Sequence, residues 1–161
     1  MLSNAKGSGG TPAWTQLAPS GTAPSAREGL TAVYAAASNR MIVFGGYNGS
    51  GVNDTWVLSN ANGSGGTPAW TQLAPSGTAP PARYFHTAVY AAAGNRMIVF
   101  GGRNVVRLND TWVLSNANGS GGTPAWTQLA PSGIVPSAHS YPTAVYDAAS
   151  GRMVEIGRAH V

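Results

Sequence analysis

The chain has 161 residues, only 9% of them charged, with a formal net charge of +4 and no cysteine. The missing cysteine excludes a disulfide framework, a thiolate metal site and a cysteine nucleophile. The arginines are scattered rather than clustered, which argues against a nucleic-acid surface; no apolar run reaches the roughly 20 residues of a membrane helix, and the first residues lack a signal-peptide pattern.

An internal repeat organises the sequence. "PAWTQLAPSG" begins at Pro12, Pro68 and Pro124, a period of 56 residues without insertion or deletion. Residues 1–56 and 57–112 differ at 12 positions, and the third unit, 113–154, follows them closely as far as Met153. Such near-identity points to duplication, and repeated units of this size stack on one another to bury a shared core. Met1 stands where the other units have Val57 and Val113, so the chain is expected to start partway through a unit.

In chain order, the second unit predicts four short strands. "HTAVYAA", His86 to Ala92, is followed by a tight turn and then "RMIVFGG", Arg96 to Gly102. "DTWVLS", Asp110 to Ser115, leads through the Gly-rich "NANGSGGTP" to "AWTQLA", Ala125 to Ala130. These runs have strand length and strand residues, bounded by Gly, Pro and Asn. In "RMIVF", Met97 and Val99 face one way and Ile98 and Phe100 the other, so both faces require cover. The last run mixes Thr127 and Gln128 with Trp126 and Leu129 and reads as an outer, partly solvated strand. The pattern is all-β, and it describes one four-stranded antiparallel blade of a propeller.

The unit resembles a kelch repeat. The residues that carry the resemblance are an apolar strand closing in Gly45-Gly46 or Gly101-Gly102, a tryptophan in "NDTW" (Trp56, Trp112), and a tryptophan opening the last strand (Trp14, Trp70, Trp126). The resemblance spans the chain up to Met153 and implies a kelch-type β-propeller segment of about two complete blades plus partial ones. Closed propellers have about 4–8 blades. The isolated chain is therefore expected to expose apolar blade faces and to self-associate.

Beyond Met153 the repeat departs from its pattern. Glu155 stands at the position of Val43 and Val99, and Arg158 at that of Gly46 and Gly102. The carboxylate is expected to lack a partner on a strand that needs both faces apolar. "EIGRAHV" also matches, residue for residue, the translation of a common short-read sequencing adapter. Residues 155–161 are accordingly expected to be a non-native tail.

Strand parity places the loop before the first strand and the loop between the second and third on one propeller face. Nine of the 12 differences between the first two units fall there, among them Glu28/Tyr84, Gly29/Phe85, Leu30/His86, Tyr47/Arg103, Gly49/Val105, Ser50/Val106 and Gly51/Arg107. The third unit diverges there too, with His139 and Tyr141. Loops on a rigid scaffold are where binding resides, although drift after duplication also varies them. The candidate ligand-binding residues are therefore Glu28, Tyr47, Tyr84, Phe85, His86, Arg103, Arg107, His139 and Tyr141. Their aromatic and arginine character suits a protein or glycan ligand. Asp54 and Asp110 recur one unit apart in "NDTW", which reads as a loop-bracing hydrogen bond rather than an acid/base pair.

No catalytic residue, metal site or cofactor is expected, and the favoured function is a non-catalytic binding module. Two alternatives stand beside it. One is a fragment of a kelch-fold enzyme, galactose-oxidase-like or a sugar epimerase, with its active site in other blades. The copper oxidases of that resemblance use a Tyr-Cys cofactor, which a chain without cysteine does not supply. The other is a structural scaffold of an extracellular, bacterial surface protein, permitted by low charge and Gly/Thr/Ser richness.

Overall fold

Asn and Gly punctuate the chain where it reverses, and the apolar runs between them pair as strands. The computed structural model describes residues 1–157. The strands are β1 (Leu2–Ser3), β2 (Ala13–Trp14), β3 (Thr31–Ala35), β4 (Arg40–Tyr47), β5 (Gly51–Ser59), β6 (Ala69–Leu73), β7 (Thr87–Ala91), β8 (Arg96–Phe100), β9 (Thr111–Ser115), β10 (Ala125–Leu129), β11 (Thr143–Asp147) and β12 (Arg152–Ile156). The strands of the second unit fall where the sequence predicts them, each trimmed by one or two residues. Two four-stranded antiparallel sheets, β3-β4-β5-β6 and β7-β8-β9-β10, form complete blades. The strand pairs β1-β2 and β11-β12 lie before and after them.

The 56-residue period is carried into the register. Val33 pairs with Ile42, Ile42 with Val57 and Val57 with Thr71; one unit later Val89, Ile98, Val113 and Thr127 repeat the row. The tight turns owe their shape to Asn39 and Asn95, which adopt left-handed backbone with φ 50° and 48°. The Asn95 side-chain amide then donates to Asn118 Oδ1 at 2.7 Å and to the Ser120 carbonyl at 3.0 Å, which fixes the Gly-rich loop on the same propeller face.

Successive blades meet through their first strands, β3 on β7 and β7 on β11. Between the complete blades lies the core, built from Val33, Ile42, Phe44, Met97, Val99, Trp112, Leu114 and Trp126. Phe44 is fully buried, with Trp126 of the next blade at a ring separation of 4.9 Å. Burying a side chain of that size contributes about 1.5–3 kcal/mol. Trp14, the counterpart of Trp126, is 80% exposed, and Ile156 on β12 is 75% exposed.

Two local outcomes modify the sequence reading. In the first blade β4 and β5 continue into a hairpin with a bulge between Phe44 and Gly46, closed over Asn48, Gly49 and Ser50 with Gly49 at φ 109°. In the second blade Val105 stands in place of that glycine without positive φ; the continuous ladder ends at Phe100, and the loop is closed by the Arg103–Arg107 bridge and by the Leu108 N–H donating to the Gly102 carbonyl at 2.9 Å. The second outcome concerns Glu155. β12 runs through it, paired with Ala144, and its carboxylate lies 2.9 Å from His139 Nε2, so the expected lack of a partner is corrected. His139 occupies the position of Arg27 and Arg83, and this framework site supplies the partner. The need for glycine at the Gly46/Gly102 position is evident: Gly102 has φ 86° and a Cβ there would lie 2.8 Å from His86 N. Arg158 and the rest of the expected tail lie outside the described residues.

Candidate functional site

The variable-loop face is assembled on a polar knot beneath it. Arg83 enters from the loop before β7 and its guanidinium meets both Asp110 oxygens, at 2.7 and 2.8 Å, and the Gly101 carbonyl at 3.1 Å. Trp112 Nε1 donates to the same carboxylate at 2.7 Å. Arg27, Asp54 and Trp56 repeat the arrangement in the first blade. Burial alone would raise the Asp110 carboxyl, but the hydrogen bonds from Arg83 and Trp112 outweigh it and hold the group below the usual carboxylate value; Asp54 is lowered in the same way. The knot thus ties the entry loop of each blade to the strand that follows its variable loop.

Backbone pairing completes the platform. Tyr84 and Arg103 exchange N–H···O bonds at 2.9 Å, as Glu28 and Tyr47 do at 3.0 and 2.8 Å, so the two loops of each blade lie side by side. Between blades, Phe85 N–H donates to the Gly29 carbonyl at 2.7 Å and Tyr141 N–H to the Phe85 carbonyl at 2.8 Å. Loops of different units are thereby stitched into one surface.

On this surface the aromatic side chains form a continuous row. Tyr47 lies 5.2 Å from Tyr84 by ring centroid, Tyr84 5.0 Å from Phe85, and Phe85 4.2 Å from Tyr141 in a stacked geometry. Arg103 stands over the Tyr84 ring at 5.7 Å. Beside the row a cavity of about 350 Å³ opens between the blades, lined by Tyr47, Gly51, Ala82, Tyr84, Asn104 and Val105. Val105 is 92% exposed at its rim.

Of the nine candidates read from the sequence, Tyr47, Tyr84, Phe85, Arg103 and Tyr141 come together in this row. Glu28 and Arg107 are exposed beside it, held by backbone pairing to Tyr47 and Arg103. The two histidines do not reach the surface. His86 is buried, with Nε2 2.8 Å from Thr31 Oγ1 of the neighbouring blade and its ring edge-on to Phe44. Burial pushes its pKa down to about 3, and the Arg83 charge acts in the same direction. His139 is buried between the Ser137 carbonyl and Glu155. Sequence reasoning passed over Val105, although the Gly49/Val105 and Ser50/Val106 differences marked the loop tip. Among the described residues no three His, Asp or Glu side chains gather as a metal site.

A family model described as the KLHDC2/KLHL20/DRC7 Kelch-repeats domain matches residues 9–158. The chain belongs to the kelch-repeat family. This kelch segment is 36% identical over 125 residues to dynein regulatory complex subunit 7 of Chlamydomonas reinhardtii, which covers 73% of the chain and 10% of that protein. It is 36% identical over 97 residues to host cell factor 2 of Homo sapiens, covering 58% of the chain and 11% of the relative. Host cell factor 1 of Rattus norvegicus is 32% identical over 111 residues, with 66% and 5% covered. The kelch segment therefore spans about a tenth, or less, of the length of these relatives.

Proposed function

We propose that the kelch segment is a non-catalytic protein-interaction module whose partner docks on the variable-loop face. The observation that supports this reading is the row from Tyr47 to Tyr141, which crosses three units and lies beside an apolar cavity. Aromatic and arginine side chains on a pre-formed surface are the groups that dominate protein-protein hot spots. One relative is by name a subunit of a dynein regulatory complex, which agrees with a binding role. A glycan is the less favoured ligand, because the rings of the row cover one another and few side-chain amides or carboxylates stand ready to read sugar hydroxyls.

Peptides selected from a displayed library against the chain, with a glycan array in parallel, test the reading. Tyr84→Ala and Arg103→Ala are each expected to weaken a selected peptide at least tenfold, about 1.4 kcal/mol, whereas Asn62→Ala on the opposite face leaves binding unchanged. Peptides that bind all three variants alike would sink the assignment of the face.

We also propose that the 161-residue polypeptide self-associates through blade faces such as those bearing Trp14 and Ile156. Multi-angle light scattering is expected to give masses above the 16.4 kDa of one chain. A monodisperse species at that mass would remove the proposal.

A further inference from the structure

The tripeptide Asn-Gly-Ser occurs three times, at Asn48, Asn62 and Asn118. Asparagine is among the chemically labile side chains, and a following glycine, having no Cβ, leaves its own nitrogen open to close approach by the amide carbon. The sequence makes the three sites equivalent. The fold does not.

Asn62 and Asn118 are held inside the Gly-rich loops. Asn62 Oδ1 accepts from Asn39 Nδ2 at 2.6 Å, from the Ser64 N–H at 2.9 Å and from Ser64 Oγ at 2.7 Å. Asn118 Oδ1 accepts from Asn95 Nδ2, the Ser120 N–H and Ser120 Oγ at 2.7, 3.0 and 2.8 Å. The glycine nitrogens are engaged as well: Gly63 N–H donates to the Asn60 carbonyl and Gly119 N–H to that of Asn116, both at 2.9 Å. Attack by either nitrogen must first give up that hydrogen bond and swing the amide away from its donors.

Asn48 stands at the tip of the β4–β5 hairpin, on the variable-loop face. Its Nδ2 donates to Ser25 Oγ at 2.9 Å, but among the described residues no donor reaches its Oδ1 and Gly49 N–H finds no acceptor. A Cβ at Gly49 would meet nothing within 4 Å. Cover by neighbouring units does not account for the contrast, because Asn62 is exposed and Asn118 buried, yet both carry the same bonds. At the corresponding tip of the second blade, which lines the inter-blade cavity with Tyr47 and Gly51, Val105 N–H is equally unengaged. There a β-branched side chain crowds the nitrogen.

We propose that Asn48 is the chain's site of spontaneous deamidation, and that the fold suppresses the same reaction at Asn62 and Asn118. The Gly49 nitrogen, its proton taken by solvent base, attacks Asn48 Cγ. The new C–N bond closes a succinimide as the Cγ–Nδ2 bond breaks, and Nδ2 leaves, with a proton from solvent, as ammonia. Water then opens the ring. Addition at Cγ gives aspartate; addition at the main-chain carbonyl carbon gives isoaspartate, with one more carbon in the backbone. Either product sets a carboxylate beside Tyr47, and the Ser25 hydroxyl that accepted from Nδ2 turns to donate to it. The loop tip thus becomes anionic with age, whatever docks on that face.

Incubation of the 161-residue chain in mildly alkaline heavy-oxygen water tests this, the isotope marking only conversion that occurs during the incubation. A chymotryptic digest, cutting after Tyr47 and Trp56, separates Asn48 from Asn62 for tandem mass spectrometry. In the folded chain Asn48 is expected to convert at least about tenfold faster than Asn62 or Asn118, the scale on which misplaced reacting atoms slow a reaction. In urea, where only fluctuating local structure remains, the three are expected to convert within about twofold of one another. Equal rates in the folded chain would overturn the proposal. So would a lead for Asn48 that persists undiminished in urea, since the cause would then be its sequence neighbours. Asn39→Gly keeps the left-handed turn and removes one donor to Asn62. It is expected to speed conversion at Asn62 and leave Asn118 unchanged; an unchanged rate at Asn62 would overturn the suppression assigned to the loop.

Discussion

Arg83→Ala is expected to lower the free energy of unfolding by about 3–5 kcal/mol, the range for removing one partner of a buried pair. The Arg83 side chain is 0% exposed, and its guanidinium serves two carboxylate oxygens and the carbonyls of Pro81 and Gly101. Truncation leaves Asp110 half-buried with only Trp112 as a side-chain donor, and it orphans the Gly101 carbonyl where the chain turns into the variable loop. Lysine does not restore the site, because one ammonium cannot reproduce a planar fork that spans four acceptors. Replacing both partners with apolar groups, Arg83→Met with Asp110→Leu, is expected to recover more than half of the loss, since no buried charge then stands alone. Urea unfolding of the three variants measures each step. A loss below about 1 kcal/mol for Arg83→Ala would mean that the pair behaves as an exposed one.

The same residues show how much the sequence discloses. Arg27 and Arg83 recur with the period and read as framework, and Asp54 and Asp110 read as loop braces. That the two sets meet is a tertiary fact, because 27 residues and two strands separate the partners. The blades themselves were legible, since alternation within "TAVYA" and "RMIVF" dictates strands, and identical units must adopt identical registers. Chain parity likewise placed Tyr47, Tyr84 and Tyr141 on a common face. What it missed was depth. His86 and Tyr84 are two residues apart in one loop, yet the left-handed turn at Phe85 sends one ring inward to Thr31 and leaves the other at the surface. No propensity predicts phenylalanine in that conformation, and the only sequence hint was Gly29 one unit earlier. Glu155 failed for a related reason: a framework arginine position had become His139, and the compensating pair is visible only when the two positions are known to be adjacent.

His86 is expected to make the chain acid-labile well above the pH at which its carboxylates titrate. Its ring is buried between blades, Nε2 meets Thr31 Oγ1, and Nδ1 is buried with no hydrogen-bond partner among the described residues; burial disfavours the imidazolium by more than the Phe44 backbone, which favours it, can offset. The Arg83 charge opposes protonation further. The folded pKa of about 3 lies below the unfolded value of 6.5. Between these two values the unfolded chain binds the proton and the folded chain does not. The contribution is therefore fully present above pH 6.5 and is lost steadily as the pH falls toward 3, at about 1.4 kcal/mol per pH unit. Between pH 7 and pH 4.5 the native chain is expected to lose about 2–3 kcal/mol more than His86→Leu. Leucine is the residue that the first unit carries at this position, as Leu30, and it removes the titration without adding a buried polar group. Urea midpoints at the two pH values decide the matter. Parallel losses in both proteins would show that the imidazole is charged, or reaches water, in the folded state, and the junction between the first two blades would then be looser than its buried Phe44, Trp126 and His86 require.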